Sequence, residues 1–313
     1  MTVPAEERWQ DVIVSSRRSA LKLARWVLTA LERLPLSHVI RGAIVAGHRQ
    51  NGSLHDDDLS AWAAGLGMPY RDLVAVNAAY ELALLEEAKL TAASVLMESA
   101  RFGMFQARNV DFDLKGVGEA TVVYHFVGCP LEYMAVTLPG LTGVMSGMGP
   151  GRFSATLSLA TPQGRPTLDI CPQTLLRHAL ESARTYDDAV TLLSETPLRS
   201  PAIFTVAGIE PGQGCVIERT RKDSAIRPFA RPYLVSANHY VSAALSQFNT
   251  MPALVDLSQA QMRAAARAAA DLKTEQLGDI FDVLNAEGVA GDLTCQQVAL
   301  APKDGLYCAV ARP

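Results

Sequence analysis

The spacing of apolar positions predicts helices in the first part of the chain. Over Ser16–Leu34, apolar side chains recur every three or four residues, and Pro35 ends the run. The same pattern predicts three further helices, over Val39–Gln50, Asp57–Gly65 and Tyr70–Lys89. The segment up to about residue 91 is therefore expected to be helical.

The pattern changes after residue 91 to short β-prone runs separated by glycine and proline. Six such runs between residues 92 and 160 predict an antiparallel meander. They cover 93–97, 103–109, 119–127, 132–138, 142–147 and 153–160.

Helices and strands alternate in groups over the rest of the chain. Helices are predicted at Gln173–Ala183, Tyr186–Ser194, Ser258–Leu272 and Thr274–Asn285, and strands at 202–208, 214–219, 232–237, Cys295–Ala301 and Gly305–Ala311. Strands grouped apart from helices indicate an α+β layered domain and argue against a parallel βαβ sheet.

Composition narrows the function classes. With 313 residues, 49% of them hydrophobic, the chain can bury a large core, and a net charge of −4 without a basic stripe argues against nucleic acid. Five widely spaced cysteines give neither a disulfide framework nor a zinc motif, so a cytoplasmic protein is expected. The N-terminus does not resemble a secretory signal, and no apolar run approaches the roughly 18 residues of a membrane span.

Two features of the helical segment each allow two interpretations. The helix over residues 16–34 carries Arg17, Arg18, Lys22 and Arg25 on its polar face, so it suits either an anionic membrane surface or packing within its own domain, which we favour. His55 next to Asp56, Asp57 and Asp58 offers metal ligands, but a solvated helix start explains this run better.

A cluster of polar residues ends the second predicted strand. Arg108, Asn109 and Asp111 follow an apolar run, and the strand predicted to pair with it offers nothing reactive, only Thr91, Ala92, Ala93 and Ser94. Taken alone, Arg108 and Asp111 form either an active-site cluster or a salt bridge at a turn.

Five motifs resemble one enzyme family. Their order and spacing are similar to those of acid ceramidase and N-acylethanolamine acid amidase, which are N-terminal-nucleophile (Ntn) cysteine hydrolases related to choloylglycine hydrolases and penicillin acyltransferases. The motifs are NAAYEL (77–82), ARNVDF (107–112), GVMSGMGPGRFSATLS (143–158), GQGCVIERTR (212–221) and SANHY (236–240). This resemblance covers roughly residues 55–313 and implies an αββα sandwich without a cofactor or metal.

The resemblance also implies a self-cleavage site. In this family the chain cuts itself before a cysteine that precedes the R-N-x-D motif by sixteen residues to the arginine and nineteen to the aspartate. Counting back from Arg108 and Asp111 reaches Ala92 both times. The bond expected to be cut therefore joins Thr91 to Ala92, and it divides the chain into a small subunit (1–91) and a large subunit (92–313).

The family assigns a role to each residue around that bond. Arg108 would hold the sulfur, Asp111 would orient the freed α-amine, and Asn238 would donate to the oxyanion, although Asn238 alone also suits a turn cap. Arg263 is a looser match to a late family arginine. Met145 and Met148 would line a pocket or the edge of the core.

Alanine at position 92 has two explanations, an engineered replacement of cysteine or natural loss of catalysis. The persistence of Arg108, Asp111 and Asn238 favours replacement. The expected parent activity is hydrolysis of a linear amide in an N-acyl amine with a lipid-like acyl group. Acyl transfer in a biosynthetic pathway and a non-catalytic binding protein are the alternatives.

Overall fold

Eight helices are found in the part of the chain that a computed structural model describes, residues 5–78, 92–111, 118–161 and 167–312. They are α1 (Ala5–Arg33), α2 (Ser37–Gln50), α3 (Asp56–Leu66), α4 (Tyr70–Val76), α5 (Pro172–Ser182), α6 (Tyr186–Glu195), α7 (Pro252–Ala270) and α8 (Ile280–Asn285). Single 3₁₀ turns lie at Gly118–Ala120, Ser246–Phe248 and Leu277–Asp279.

The strands form two antiparallel sheets. They are β1 (Ser94–Ser99), β2 (Gly103–Asp111), β3 (Val122–Phe126), β4 (Tyr133–Thr137), β5 (Ser146–Gly149), β6 (Phe153–Leu159), β7 (Ala202–Ala207), β8 (Gly214–Arg219), β9 (Ser224–Pro228), β10 (Tyr233–Ser236), β11 (Thr294–Ala301) and β12 (Leu306–Ala311). The smaller sheet has the order β10-β1-β2-β11-β12, and the larger runs from β3 to β9 in sequence order.

The two sheets face each other, and alternation along each strand decides which side chains meet between them. Met134 and Met148 of the larger sheet pack there against Val298 of the smaller one. The same layer is partly polar, since Gln106 Nε2 donates to Ser154 Oγ at 2.8 Å. Every residue of β2 and of β6 is buried, as expected of strands covered on both faces.

Helices cover the outer faces of both sheets. α5 and α6 contact the larger sheet, and α7 and α8 contact the smaller one. The N-terminal helices share one hydrophobic core with the outer face of the larger sheet, where Val27 and Trp62 belong to the same cluster as Leu157 and Phe204. The predicted αββα sandwich is confirmed by this layering.

Several predicted elements differ from the structure. The strands between residues 92 and 160 do not form one meander, because β1 and β2 belong to the smaller sheet and β3 to β6 to the larger. β9 has no counterpart among the predicted strands, and α7 begins six residues before the predicted Ser258, with Pro252 in its first turn. α4 ends at Val76, and residues 79–91 of the helix predicted over Tyr70–Lys89 lie outside the described residues.

The apolar face of α1 is not available to a membrane. Leu23, Ala24, Val27 and Leu31 are buried in the core, because this face packs against α3 and α4. The alternative in which α1 packs within its own domain is therefore correct for the apolar face. No described helix is long and apolar enough to cross a bilayer.

A buried network of charges joins α3 to α5. Asp58 accepts hydrogen bonds from Arg177 and, at 2.7 Å, from the indole of Trp9, while Arg177 Nε donates to Glu181 at 2.8 Å. His55 Nε2 lies 2.8 Å from the second oxygen of Glu181. The prediction of a solvated helix start is therefore wrong for Asp58, which is buried against the cation of α5, while Asp57 is exposed.

The charges of this network depend on one another. Burial opposes ionisation of Glu181, yet the hydrogen bond from His55 and the charge of Arg177 hold the pKa of that carboxyl well below its usual value. Burial lowers the pKa of His55 despite its bond to Glu181. Because the folded carboxyl has the lower pKa, Glu181 contributes its stability fully above its ordinary pKa of 4.5 and loses it as the pH falls further.

Replacing Arg177 by methionine should destabilise the fold strongly, because the buried Asp58 would keep only the half-exposed Arg8 as a cation and the partly buried Glu181 would lose its ion pair with Arg177. A loss of about 3–5 kcal/mol in the free energy of unfolding is expected from urea denaturation. The exposed Arg184 is the matched control, and Arg184→Met should stay within about 0.5 kcal/mol of the parent. Equal losses in the two variants would contradict this account.

Candidate active site

The register between β1 and β2 positions residue 92. Ser94 pairs with Arg108, and the amide of Asn109 donates to the carbonyl of Ala93 at 2.9 Å, so the pairing continues past the end of β1. One more step brings Ala92 opposite Val110, next to Asp111. Alternation puts Ala92 on the strand face of Ser94 and Arg108.

Ala92 and Asn238 are in direct contact. The backbone amide of Ala92 donates to Oδ1 of Asn238 at 2.6 Å, and both residues are buried. Nδ2 of Asn238 donates to the carbonyl of Leu159 at 2.7 Å. Since Oδ1 faces a donor and Nδ2 faces an acceptor, the orientation of this side-chain amide is determined by its neighbours.

Arg108 lies fully buried between the two sheets. Nη1 donates to the carbonyls of Met145, at 2.9 Å, and Leu157, and Nε donates to the carbonyl of Asn109 at 3.3 Å. Nη2 is buried and has no partner among the described residues. A buried guanidinium N–H without an acceptor is costly, so this atom is suited to bind an acceptor that the described residues do not supply.

Asp111 is held by two side chains. Thr294 Oγ1 donates to Oδ1 at 2.7 Å, and Gln261 Nε2 donates to Oδ2 at 3.3 Å. Both donors come from elements that pack on β2, namely β11 and α7. The carboxylate therefore has a set direction before any substrate is bound.

Asn238 lies in the loop after β10, and Ser258 of α7 holds it in place. Ser258 Oγ accepts from the amide of Asn238 and lies 2.7 Å from Nδ1 of His239. Burial lowers the pKa of His239; the positive charges of Arg227 and Arg263 act in the same direction, while Glu218 opposes them. A neutral imidazole can accept the Ser258 hydroxyl at Nδ1, which leaves the Ser258 oxygen free to accept from Asn238.

A cysteine lies near the cluster but is unsuited to act as a nucleophile. Cys295 follows Thr294, and its thiol contacts the carbonyl of Val110 at 3.3 Å. Burial raises the pKa of Cys295 to about 12, and the negative charge of Asp111 adds to this shift. The thiol therefore stays protonated and unreactive at neutral pH.

Three of the predicted residues lie elsewhere. Arg263 is exposed on α7, and among the described residues no hydrogen bond or ion pair links it to the cluster. The side chain of Met148 is fully buried in the layer between the sheets. Met145 is buried in the main core and contributes its carbonyl, not its side chain, to Arg108. Thr91 lies outside the described residues.

Sequence reasoning missed Ser258, Gln261 and Thr294, which hold Asn238 and Asp111. A signal existed for two of them, because Ser258 and Gln261 stand three residues apart on the face of α7 that buries Ala264, Ala265 and Ala269. Polar residues on the buried face of a helix need partners. Thr294 carries no comparable signal.

The chain belongs to the acyl-coenzyme A:6-aminopenicillanic acid acyl-transferase family, whose sequence pattern matches residues 98–285. The resemblance to Ntn cysteine hydrolases is confirmed by this match together with the relatives below. The family pattern covers Arg108, Asp111, Asn238, Ser258 and Gln261, whereas Ala92 and Thr294 lie outside it.

Individual relatives include amidases. The chain is 26% identical over 240 residues to an N-acylethanolamine-hydrolyzing acid amidase of Caenorhabditis elegans and 24% identical over 258 residues to human acid ceramidase. These alignments cover 71% and 72% of the chain but only 66% and 63% of the relatives. A solved structure of the C. elegans amidase superimposes with a TM-score of 0.57 at 22% identity, over 71% of this chain and all of that one, which supports the fold.

The hydrogen bond from Thr294 to Asp111 should make a measurable contribution to the free energy of unfolding. Thr294→Val removes the donor from a buried carboxylate and should cost about 1.5–3 kcal/mol. Thr294→Ser keeps the hydroxyl and should recover most of that loss. The two variants should be compared by chemical denaturation at neutral pH. A loss in Thr294→Val no larger than the loss in Thr294→Ser would contradict this role of the hydroxyl.

Proposed function

We propose that this chain carries the site of a self-processing amide hydrolase whose nucleophile position is residue 92. The contact that carries this proposal is the 2.6 Å hydrogen bond between the Ala92 nitrogen and Asn238 Oδ1. It supports a site in which the nitrogen of residue 92 and the oxyanion residue lie within one hydrogen bond of each other.

Cysteine at position 92 would gain what a thiol nucleophile requires. A thiolate attacks amides well but is scarce at neutral pH, so it needs a base and a nearby positive charge. The base would be the α-amine of residue 92 itself, freed by cleavage of the bond to Thr91. Arg108 would supply the charge through its buried, unpartnered Nη2.

Asn238 suits the stabilisation of a tetrahedral intermediate. One hydrogen of Nδ2 is donated to Leu159, and the second remains for the oxyanion. A donor fixed in this way is worth about 3 kcal/mol in the transition state. Asp111, held by Thr294 and Gln261, would orient the amine.

Cleavage would divide the chain into subunits of residues 1–91 and 92–313. The ion pair between Asp58 and Arg177, together with the shared hydrophobic core, would keep the two pieces together. Alanine at position 92 leaves the bond intact, so the present chain would remain in one piece. Replacement of a natural cysteine explains why the surrounding side chains are still arranged around this position.

The proposed substrate is the linear amide of an N-acyl amine with a lipid-like acyl group. The names of the relatives, an N-acylethanolamine amidase and acid ceramidases, support this class. A cytoplasmic location remains a prediction.

Two other functions have some support. The name of the family describes an acyl transferase, in which an amine takes the place of water. Alanine at position 92 itself favours a binding protein that has kept the site and lost the chemistry.

Restoring cysteine separates these functions. Ala92→Cys should convert the single chain into fragments of 91 and 222 residues on a denaturing gel, counting residues 1–91 and 92–313. N-terminal sequencing of the larger fragment should begin at position 92. The control is Ala93→Cys, an equally buried alanine that faces α7 and α8 instead of Arg108, and this variant should stay intact. An intact A92C chain would favour the binding protein.

Processed A92C protein should release fatty acid from N-acyl amines of varied chain length. Adding a competing amine acceptor distinguishes the two enzymatic functions. A hydrolase should give free acid at an unchanged rate, whereas a transferase should divert most of the acyl group to the added amine. Products can be quantified by mass spectrometry, with the unaltered Ala92 chain as the inactive control.

A further inference from the structure

Gln261 has a buried polar atom without a partner, next to the candidate site. Its Nε2 donates to the carbonyl of Val289 at 2.8 Å and to Oδ2 of Asp111 at 3.3 Å. Its Oε1 is buried and has no hydrogen-bond donor among the described residues. The side chain is only 5% exposed, so solvent is a poor substitute for that donor.

The orientation of this amide is not ambiguous. Both neighbours of Nε2 are acceptors, a carbonyl and a carboxylate oxygen. Turning the amide over would bring Oε1 against these two oxygens and lose both hydrogen bonds. Oε1 is therefore the free atom, and it requires an N–H or O–H group.

Hydrogen bonds and helix spacing connect Gln261 to the surroundings of the residue 92 nitrogen. On α7, Ser258 lies one turn earlier on the same buried face, and side chains three residues apart on a helix have Cβ atoms about 5–6 Å apart. Ser258 accepts from Asn238, and Asn238 accepts from the Ala92 nitrogen. Gln261 contacts Asp111, which neighbours the strand partner of Ala92. Two side chains on one face of α7 thus hold Asn238, which accepts from this nitrogen, and Asp111, which follows the residue opposite Ala92.

We propose that Gln261 is a positioning residue whose Oε1 accepts a hydrogen bond from the α-amine of residue 92 after self-cleavage. This inference rests on the proposed function. In the uncleaved chain the nitrogen is an amide with one hydrogen, and that hydrogen is donated to Asn238. Cleavage adds water across the bond, leaves a carboxylate on Thr91 and turns the nitrogen into an amine with two hydrogens, or three when protonated. The additional hydrogens supply the donor that Oε1 lacks.

The hydrogen bond to Gln261 would also tune the amine as a base. An acceptor favours the protonated amine, which raises its pKa, and the negative charge of Asp111 acts in the same direction. The positive charge of Arg108 opposes both, and His239 would oppose them only when protonated. Loss of Oε1 should therefore lower the pKa of the amine and disturb the orientation of the amine.

The test uses the full-length chain in the A92C background. Gln261→Met keeps the volume of the side chain and removes both polar atoms. Gln297→Met is the matched control, because Gln297 is equally buried and donates to Asn109 and Asn285 but contacts neither Asp111 nor Asn238. Extent of processing, thermal stability and the pH profile of kcat/KM for an N-acyl amine are measured for both.

Both variants should lose stability, but only Gln261→Met should alter the chemistry. Its kcat should fall roughly tenfold to hundredfold, and the acid limb of its kcat/KM profile should move down by on the order of one pH unit. An unchanged limb, or the same shift in Gln297→Met, would overturn the assignment of Gln261 and leave the hydrolase proposal standing. Absence of processing in A92C itself would overturn the hydrolase proposal and this assignment with it.

Discussion

The registers of β1 against β2 and against β10 position the candidate site. Ser94 lies opposite Arg108 on β2 and opposite Ser236 on β10, so Ala92, two residues before Ser94, comes next to Asn238, two residues after Ser236. A slip of one residue would turn every side chain of β1 to the other sheet face and remove Ala92 from the face of Arg108. The register is protected because both faces of β1 are covered, so a slip would also expose apolar residues and bury polar ones.

A site of this kind requires polar groups to be buried, which is unfavourable unless they are hydrogen-bonded. Arg108, Asp111 and Asn238 all have protein partners for most of their polar atoms, which keeps the fold stable without substrate. The exceptions, Arg108 Nη2 and Gln261 Oε1, lie at or beside the cluster around residue 92. Buried polar atoms without a partner also occur elsewhere among the described residues, as at Trp62 Nε1 and Tyr124 Oη. Two of them beside one cluster of charged and amide side chains suit a binding or catalytic centre. In the network around Arg177, the buried charges pair with one another, which gives them a structural role. In the sequence, the acidic residues of this network resemble an exposed run.

Much of the fold could be predicted from periodicity and turn residues. β2, β6 and β8 were predicted to within two residues, because long apolar runs with glycine at their ends allow few other conformations. The assignment of strands to sheets was not predictable, since β1 and β6 look alike as isolated strands and only packing separates them. In the site, a motif count predicts position 92, whereas Gln261 was not predicted at all and the predicted Arg263 is exposed. Alanines lie on several sides of α7, which weakens the signal that places Ser258 and Gln261 on its buried face.

The sequence by itself determined the strands, the layered α+β class and the spacing that relates Ala92 to Arg108 and Asp111, because these depend on neighbours along the chain. Only the tertiary structure decided that Asn238, Ser258, Gln261 and Thr294 meet around the same point, and that Asp58 is buried against Arg177. Contacts between residues more than a hundred positions apart depend on how sheets and helices pack, and no local pattern of side chains encodes that packing.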